Sequence, residues 1–384
     1  MPELEESRGF DESKPEAETE VARVKQFPCA QCGAKLQFSP GRSSLKCPYC
    51  THETAVPDSG EGVEELDFYE YLGLLERQGE SHETTSALCR GCGAQTELPP
   101  NLDAFSCPYC DQAIVAEPTK RRLLRPRSVL PFRIERKEAR ELFRSWIKRL
   151  WFAPNALKKA HKLNSKLNGL YIPYWTYDAY TDSRYTGMRG EHYYVTERYT
   201  VTVNGKRETR TRRVRKTRWW PASGRVEVPF DDVLVLASHA TPKALTEALE
   251  PWDLAELKPY SEEYLAGFIA QRYEVDLAEG FEGAKQKMDP GIRAAVRRDI
   301  GGDAQRILSL QVGYEDVTFK HVLLPVWISA YRYKRKVYRF VINARTGEVR
   351  GERPWSIWKI AFAVLGVALI GAGTFFVINA SQGG

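Results

Sequence analysis

Eight cysteines carry the most specific chemistry in this 384-residue chain, and they fall into four Cys-x-x-Cys pairs. The pairs are Cys29/Cys32, Cys47/Cys50, Cys89/Cys92 and Cys107/Cys110. Each places two thiols on one tight turn, where the glycine after it or the proline inside it shapes the backbone. Two such turns separated by 14 residues supply four sulfurs about 2.3 Å from a tetrahedral ion, the spacing of a zinc ribbon. Four thiolates leave no open coordination position, so two structural Zn2+ ions per chain are expected. Soft tetrahedral sulfur also accepts Fe, which is the alternative. A thioredoxin-like redox pair needs one Cys-x-x-Cys in a βαβ context, and none is visible.

The two four-cysteine segments repeat one another. FPCAQCGAKLQFSPGRSSLKCPYC (27–50) and ALCRGCGAQTELPPNLDAFSCPYC (87–110) align without a gap, with nine of 24 positions identical. Zinc ribbons often bind nucleic acid, which requires cations to neutralise phosphate. A metal with four thiolates is itself negative, and the second segment adds only Arg90 against Glu97, Asp103 and Asp111. The first, with Lys35, Arg42 and Lys46, is the more tolerable candidate. Protein contact is the expectation for both.

A second concentration of chemistry is basic. Residues 206–218 hold eight Lys+Arg against one Glu. Asn204-Gly205 separates two β-prone runs, HYYVTERYTVTV and KRETRTRRVRKTRWW, the signature of a type I′ hairpin. A two-residue turn there pairs Val195 with Val214, Glu197 with Arg212 and Thr200 with Thr209, all compatible neighbours. That register sends Arg210 and Arg212 to one side and Arg207, Arg213 and Arg215 to the other. Neither face is apolar near the tip, so the arm is expected to project into water. Arg207, Arg210, Arg212, Arg213, Arg215 and Lys216 are candidates for phosphate contact; the plainer alternative is charge that keeps an edge strand soluble.

Catalytic patterns are sparse. The histidines (His52, His82, His161, His192, His239 and His321) are scattered, with no His-Glu-x-x-His and no nucleophile elbow. Asp231-Asp232 near His239 reads most simply as a strand-end turn, and Gly301-Gly302 lacks the Lys-Ser/Thr of a phosphate loop. A non-catalytic protein is expected.

The elements that must position these groups follow from periodicity. Leu66, Tyr69, Leu72 and Leu75 stand at helical spacing in an acidic segment, predicting a short amphipathic helix. Residues 120–149 are basic, 12 Lys+Arg against 3 acids. Within them Ala139, Leu142, Phe143, Trp146, Ile147 and Leu150 form one helix face, with the basic residues opposite. Strands are expected over 170–230 and 304–350. Between them, 241–300 reads as helices punctuated by Pro251, Pro259 and Pro290. Residues 360–378 contain no charge, and 19 residues at about 1.5 Å each span about 28 Å, the thickness of a hydrocarbon core. Trp355 and Trp358 sit where an interfacial belt would be, with Lys359 beside them.

The expected architecture is multidomain: an acidic tail (1–26), zinc ribbon 1 (27–56), an acidic linker with a short helix (57–86), zinc ribbon 2 (87–118), a basic α+β domain with antiparallel strands and a long β-hairpin (119–354), and a C-terminal transmembrane helix (355–384). Charge divides the same way, 22 Asp+Glu against 9 Lys+Arg in residues 1–119 and 28 against 47 in 120–384. With 28% charged and 42% hydrophobic residues overall, neither a mostly disordered chain nor a polytopic membrane protein fits. The acidic start has no apolar signal region, and metal-binding thiols suit a reducing compartment. A single-pass, tail-anchored protein of the cell membrane with a cytoplasmic N-terminal bulk is therefore expected. Arg345, Arg350, Arg353 and Lys359 before the span agree with the positive-inside rule.

The chain resembles a bacterial family of membrane-anchored, TFIIB-type zinc-ribbon proteins whose members often carry the labels helicase or primosomal protein. The resemblance runs from Cys29 to Lys359. It rests on the paired ribbons ending in CPYC, WFAPNALKK, GLYIPYWTYDAY, the YYVTERYT…VRKTRWWPASG hairpin, EPWDL, YLAGF, RRDIGGD, TFKHVLLPVWISAYRY and NARTGEVRGERPWS. No helicase motif accompanies them. The resemblance implies no established catalytic activity, and similar ribbon-plus-helix proteins act with envelope-stress scaffolds. The expected function is a non-catalytic adaptor whose basic body meets anionic inner-leaflet lipids and whose ribbons meet a protein partner. A membrane-tethered nucleic-acid-binding protein is the alternative.

Overall fold

The structure, a computed structural model, describes residues 27–57, 60, 62–78, 82–88, 95–97, 104–106, 113–115, 119–123, 126–154, 167–203, 206–239, 241–271, 273–333 and 336–382. In chain order, β1 (Gln37–Ser39), β2 (Ser44–Lys46) and β3 (Glu53–Ala55) form an antiparallel sheet beside the first four cysteines. β4 (Leu66–Asp67) and α1 (Phe68–Gln78) follow. β5 (His82–Leu88), β6 (Gln95–Glu97), β7 (Ala104–Ser106), β8 (Ala113–Val115) and β9 (Thr119–Leu123) accompany the second cysteine segment. β10 (Ser128–Val129) and α2 (Arg136–Arg149) lead to the long hairpin of β11 (Asn168–Val203) and β12 (Lys206–Leu236). Then come α3 (Lys243–Glu247), β13 (Lys258–Pro259), β14 (Ile269–Ala270), α4 (Leu277–Ile300), β15 (Ala304–Tyr333), β16 (Lys336–Asn343), β17 (Val349–Gly351) and α5 (Ile357–Gln382).

The spine of the body is the antiparallel trio β12-β11-β15. β11 pairs with β15 from Asn168 opposite Ile328 to Gly190 opposite Ala304. The far edge of β15 is covered in turn by β4, β10 and β16. Aromatic and β-branched residues dominate where the trio is buried: Tyr171, Tyr174, Trp175, Tyr177, Val322 and Trp327 have almost no exposed surface. The polar tips of four of them find backbone partners: Tyr171 Oη donates to Tyr264 O at 3.2 Å, Trp175 Nε1 to Val275 O at 3.0 Å, Tyr177 Oη to Leu277 O at 2.6 Å and Trp327 Nε1 to Ile134 O at 2.9 Å.

α4 lies lengthwise on this sheet. It spans about 36 Å at 1.5 Å per residue, with Gly280 against Trp175 and Tyr177 at its start and Ile300 against Gly187 at its end. A Cβ at Gly280 would sit 2.8 Å from the Trp175 ring, so the helix approaches this closely only because the position is glycine. The expectation of several helices punctuated by prolines across 241–300 is corrected here. One helix covers 277–300 with Pro290 inside it. Pro290 is exposed, so the hydrogen bond it cannot make is lost on the water side, while Phe281, Ala284, Met288, Ile292, Val296 and Ile300 hold the other face down. SEEYLAGFIAQRY is not a helix either. Only Glu262–Leu265 forms a 3-10 turn; Gly267 has φ +88°, and Ile269–Ala270 pairs with β11 instead.

The acidic segment after the first cysteines is packed onto the body. β4 pairs with β15 at Phe319 and Thr318, and Phe68, Tyr71 and Leu72 join the core beneath α4. Tyr69, expected on the apolar face of α1, is exposed. The helix begins only at Phe68, with the Asp67 carboxylate accepting from Glu70 N–H at 2.7 Å, and this start turns Phe68 inward. α2 matches its expected face, burying Ala139, Phe143, Ile147 and the following Leu150.

The sheet extends differently at its two ends. Beyond Gly190 β15 no longer accompanies β11, and residues 191–203 and 206–218 continue as a two-stranded arm about 44 Å long at 3.4 Å per residue. At the opposite end, β16 and β17 lead to α5. Residues Ile357–Phe375 of α5 are long and apolar enough to cross a membrane, with mean hydropathy 1.8 and none of the stretch buried against the described residues. Its first turn is clamped to the corner after α2: Ser356 N–H donates to Phe152 O at 2.8 Å, and Lys359 Nζ to the carbonyls of Trp151 and Ala153 at 3.1 and 2.9 Å.

Candidate metal centre and basic arm

Two matching turns build the first cysteine cluster. In one, Gly33 N–H bonds Cys29 O at 2.8 Å and Cys29 N–H bonds Ala34 O at 2.7 Å. In the other, Thr51 N–H bonds Cys47 O at 3.2 Å and Cys47 N–H bonds His52 O at 2.8 Å. The left-handed position falls on Gly33 (φ +70°) in the first turn and on Thr51 (φ +60°) in the second. A β-branched residue is strained there. Sequence reasoning credited glycine and proline with shaping both turns and missed Thr51.

Together the turns bring the sulfurs of Cys29, Cys32, Cys47 and Cys50 within 4.8 Å of one another, with Cys29–Cys50 and Cys32–Cys47 each at 3.5 Å. A tetrahedral ion with sulfurs about 2.3 Å away separates them by about 3.8 Å. The four cysteines are thus positioned to bind a metal ion. Electrostatics points the same way. The Cys47 thiol is pulled down to about 6, chiefly by the Cys50 backbone N–H, against burial and with help from Tyr49 N–H. Burial pushes Cys29 up, but the N–H groups of Cys32 and Gln31, together with the Cys50 and Cys32 thiols, more than offset it. Cys50 receives an N–H from His52, yet burial and the other three thiols push it up to about 12. Four sulfurs this close cannot all ionise without a cation among them. Cys89, Cys92, Cys107 and Cys110 lie outside the described residues.

The cluster is not a separate bead. Cys29 and Cys47 belong to one buried group with Leu36, Phe38, Leu45 and Val56 of their own module and Phe132, Ile134, Phe143 and Tyr264 of the body. Phe38 N–H bonds Ala266 O at 2.9 Å, and its ring packs edge-on against Tyr264 at 5.4 Å. Arg42 and Lys46 both reach Glu53, at 3.2 Å each.

A second group, Asp178, Asp231 and Asp232, also brings carboxylates within 4.8 Å. Here a side chain supplies the cation: buried Lys320 lies 2.7 Å from Asp232, 3.0 Å from Glu65 and 3.9 Å from Asp178. The bulge at Tyr177/Ala179 and the left-handed Asp232 (φ +51°) bring the strands' acids together, and Asp232 N–H donates to Asp178. His239 is not part of this cluster.

On the arm, Val195 lies opposite Val214, Glu197 opposite Arg212 and Thr200 opposite Thr209, the register an Asn-Gly turn demands. The tip, 204–205, lies outside the described residues, between Val203 and Lys206, which face each other. Opposed residues share a face, so the register sorts the basic candidates into two sets. Arg210, Arg212 and Lys216 share theirs with acids: Arg210 pairs with Glu208 at 3.1 Å, and Arg212 and Lys216 with Glu197 at 3.3 and 3.2 Å. Arg207, Arg213 and Arg215 share the other face with Arg198 and no acid. Arg198 lies on the strand before the turn, outside the run of charge that marks 206–218, and only pairing reveals its place. Arg213 stacks over Tyr194 at 4.9 Å.

Comparison with known proteins adds one relative of unassigned role. The chain is 27% identical over 358 residues to the uncharacterized protein YdjG of Bacillus subtilis (strain 168), covering 93% of this chain and 97% of the relative. No family model matches the chain. No solved structure matches it.

Proposed function

We propose that this chain is a non-catalytic, membrane-anchored adaptor. α5 is its single span, its bulk faces the cytoplasm, and its cysteine modules hold Zn2+ in closed structural sites, one at Cys29, Cys32, Cys47 and Cys50 and one at Cys89, Cys92, Cys107 and Cys110. The observation that carries this reading is α5: an apolar stretch of 19 residues, none of them buried against the rest of the described chain, yet fixed to the body at its base. A helix this apolar left bare in water is unstable, and lipid is the solvent that suits it. Four thiolates in reach of one ion support Zn2+ without an open position for substrate, which fits a scaffold. The module's packing against the body supports a rigid surface for a protein partner, which the family resemblance suggests is an envelope-stress scaffold.

Deleting 356–384 tests the reading. The full chain should sediment with membranes and resist a carbonate wash, and the truncated chain should be soluble. A full chain released by carbonate would overturn it.

A second reading, membrane-tethered nucleic-acid binding, is favoured by one observation. The acid-free face of Arg198, Arg207, Arg213 and Arg215 leaves the sheet at the end opposite the anchor. That placement suits phosphates away from the bilayer better than headgroups.

A further inference from the structure

The corner that receives α5 has features the anchor alone does not require. α2 ends at Arg149, and its water-facing side carries Arg144, Lys148 and Arg149, all exposed. None of the three makes an ion pair with another described residue. Immediately after them Trp151 stands out with 76% of its surface exposed, comparable to the 77% of Trp358 in the first turn of α5. The two tryptophans belong to one rigid corner. Lys359 Nζ ties the Trp151 and Ala153 carbonyls to α5, Ser356 N–H ties Phe152, and the rings of Phe152 and Trp355 meet at 6.2 Å. Wherever the first turn of α5 sits in a bilayer, Trp151 is held beside it.

We propose that the end of α2 and the Trp151 corner form a second lipid contact: Trp151 enters the headgroup layer alongside Trp355 and Trp358, while Arg144, Lys148 and Arg149 meet the phosphates of anionic phospholipids. The chemistry is that of an interfacial belt, an amphipathic ring at the headgroup level flanked by basic side chains. A tryptophan this exposed is poorly placed in water and well placed at that depth. The contact would fix the body's orientation on the membrane, because a single helix leaves a body free to swivel and a second, off-axis contact does not. This assigns lipid contact to α2 and not to the arm, which leaves from the other end of the sheet.

The inference rests on α5 spanning the bilayer, so the test reads the two separately. The full chain is placed in nanodiscs of phosphatidylcholine and phosphatidylglycerol, with and without lipids brominated near the carbonyl end of the acyl chain. The emission of one tryptophan is taken as the difference between the wild type and Trp151→Phe, and separately Trp358→Phe. Both difference spectra should be blue-shifted and lose intensity with brominated lipid. For Trp151, replacing Arg144, Lys148 and Arg149 by Gln, or using phosphatidylcholine alone, should reduce that loss. Quenching of Trp358 with water-like, unquenched Trp151 would overturn this inference and leave the anchor standing. A blue-shifted but unquenched Trp151 would indicate a protein contact and overturn it equally. Absence of quenching at both positions would overturn the anchor reading itself.

Discussion

Asp178→Asn should stabilise the protein, and only above a definite pH. The Asp178 carboxyl is pushed up to about 6 from an ordinary 3.8, first by burial and then by Glu65 and Asp232, with Asp232 N–H and Lys320 pulling the other way. A group whose folded pKa is raised adds stability that is fully present below its unfolded value and lost as pH rises through the folded one. At about 1.4 kcal/mol per pH unit, ionising Asp178 in the folded state would cost about 3 kcal/mol if fully sheltered. The site keeps some contact with water, which reduces this to about 1–2 kcal/mol. Asparagine removes the charge while still accepting from Asp232 N–H and still meeting Thr318 Oγ1, which lies 3.1 Å away. Lys320 retains Asp232 and Glu65 as partners. Melting of the full chain in detergent should therefore show a gain of about 1–2 kcal/mol at pH 8, worth about 2–4 °C per kcal/mol for a body of this size. The gain should shrink through pH 6 and vanish near pH 4. A variant less stable at pH 8, or a gain independent of pH, would refute the reasoning. So would a wild type stabilised by Mg2+ or Ca2+, since that would make the acids a cation site and not the seat of Lys320.

Two further outcomes bear on function. Cys47→Ser should lower bound metal by one ion per chain, measured by elemental analysis. Because its module shares a buried cluster with the body, it should also lower the body's stability by about 1.5–3 kcal/mol, the burial of Phe38 alone; an unchanged melt would mean that the module folds apart from the body. Replacing Arg198, Arg207, Arg213 and Arg215 by Gln should flatten the salt dependence of duplex DNA binding by about three to four in log–log slope. Replacing Arg210, Arg212 and Lys216 should change it less, since their charges already face Glu208 and Glu197. Equal effects would discard the two-faced arm.

Features whose cause lies within a few residues are legible in the sequence. Asn204-Gly205 specifies a turn that needs two left-handed residues, and once the turn is set, every pair from Val203–Lys206 to Val195–Val214 follows by counting. The spacing of Cys29, Cys32, Cys47 and Cys50 encodes two turns and their sulfurs, and the face of α2 is written in its period. The uncharged run in α5 is equally local. The features that sequence reasoning misjudges depend on contacts far away along the chain. Pro290 should end a helix, yet an apolar stripe packed on β11 and β12 outweighs one hydrogen bond lost to water. YLAGFIAQRY has helix-forming residues, but β11 offers an edge at Leu170 and Tyr171, and pairing with it wins. Asp178 and Asp232 converge on Lys320, and the arm and the anchor leave opposite ends of one sheet, only because strands as distant in the chain as those of Asn168 and Ile328 come together. Local propensity sets which elements form, but burial and pairing between distant segments choose among them, because those terms are larger than the propensity differences they override.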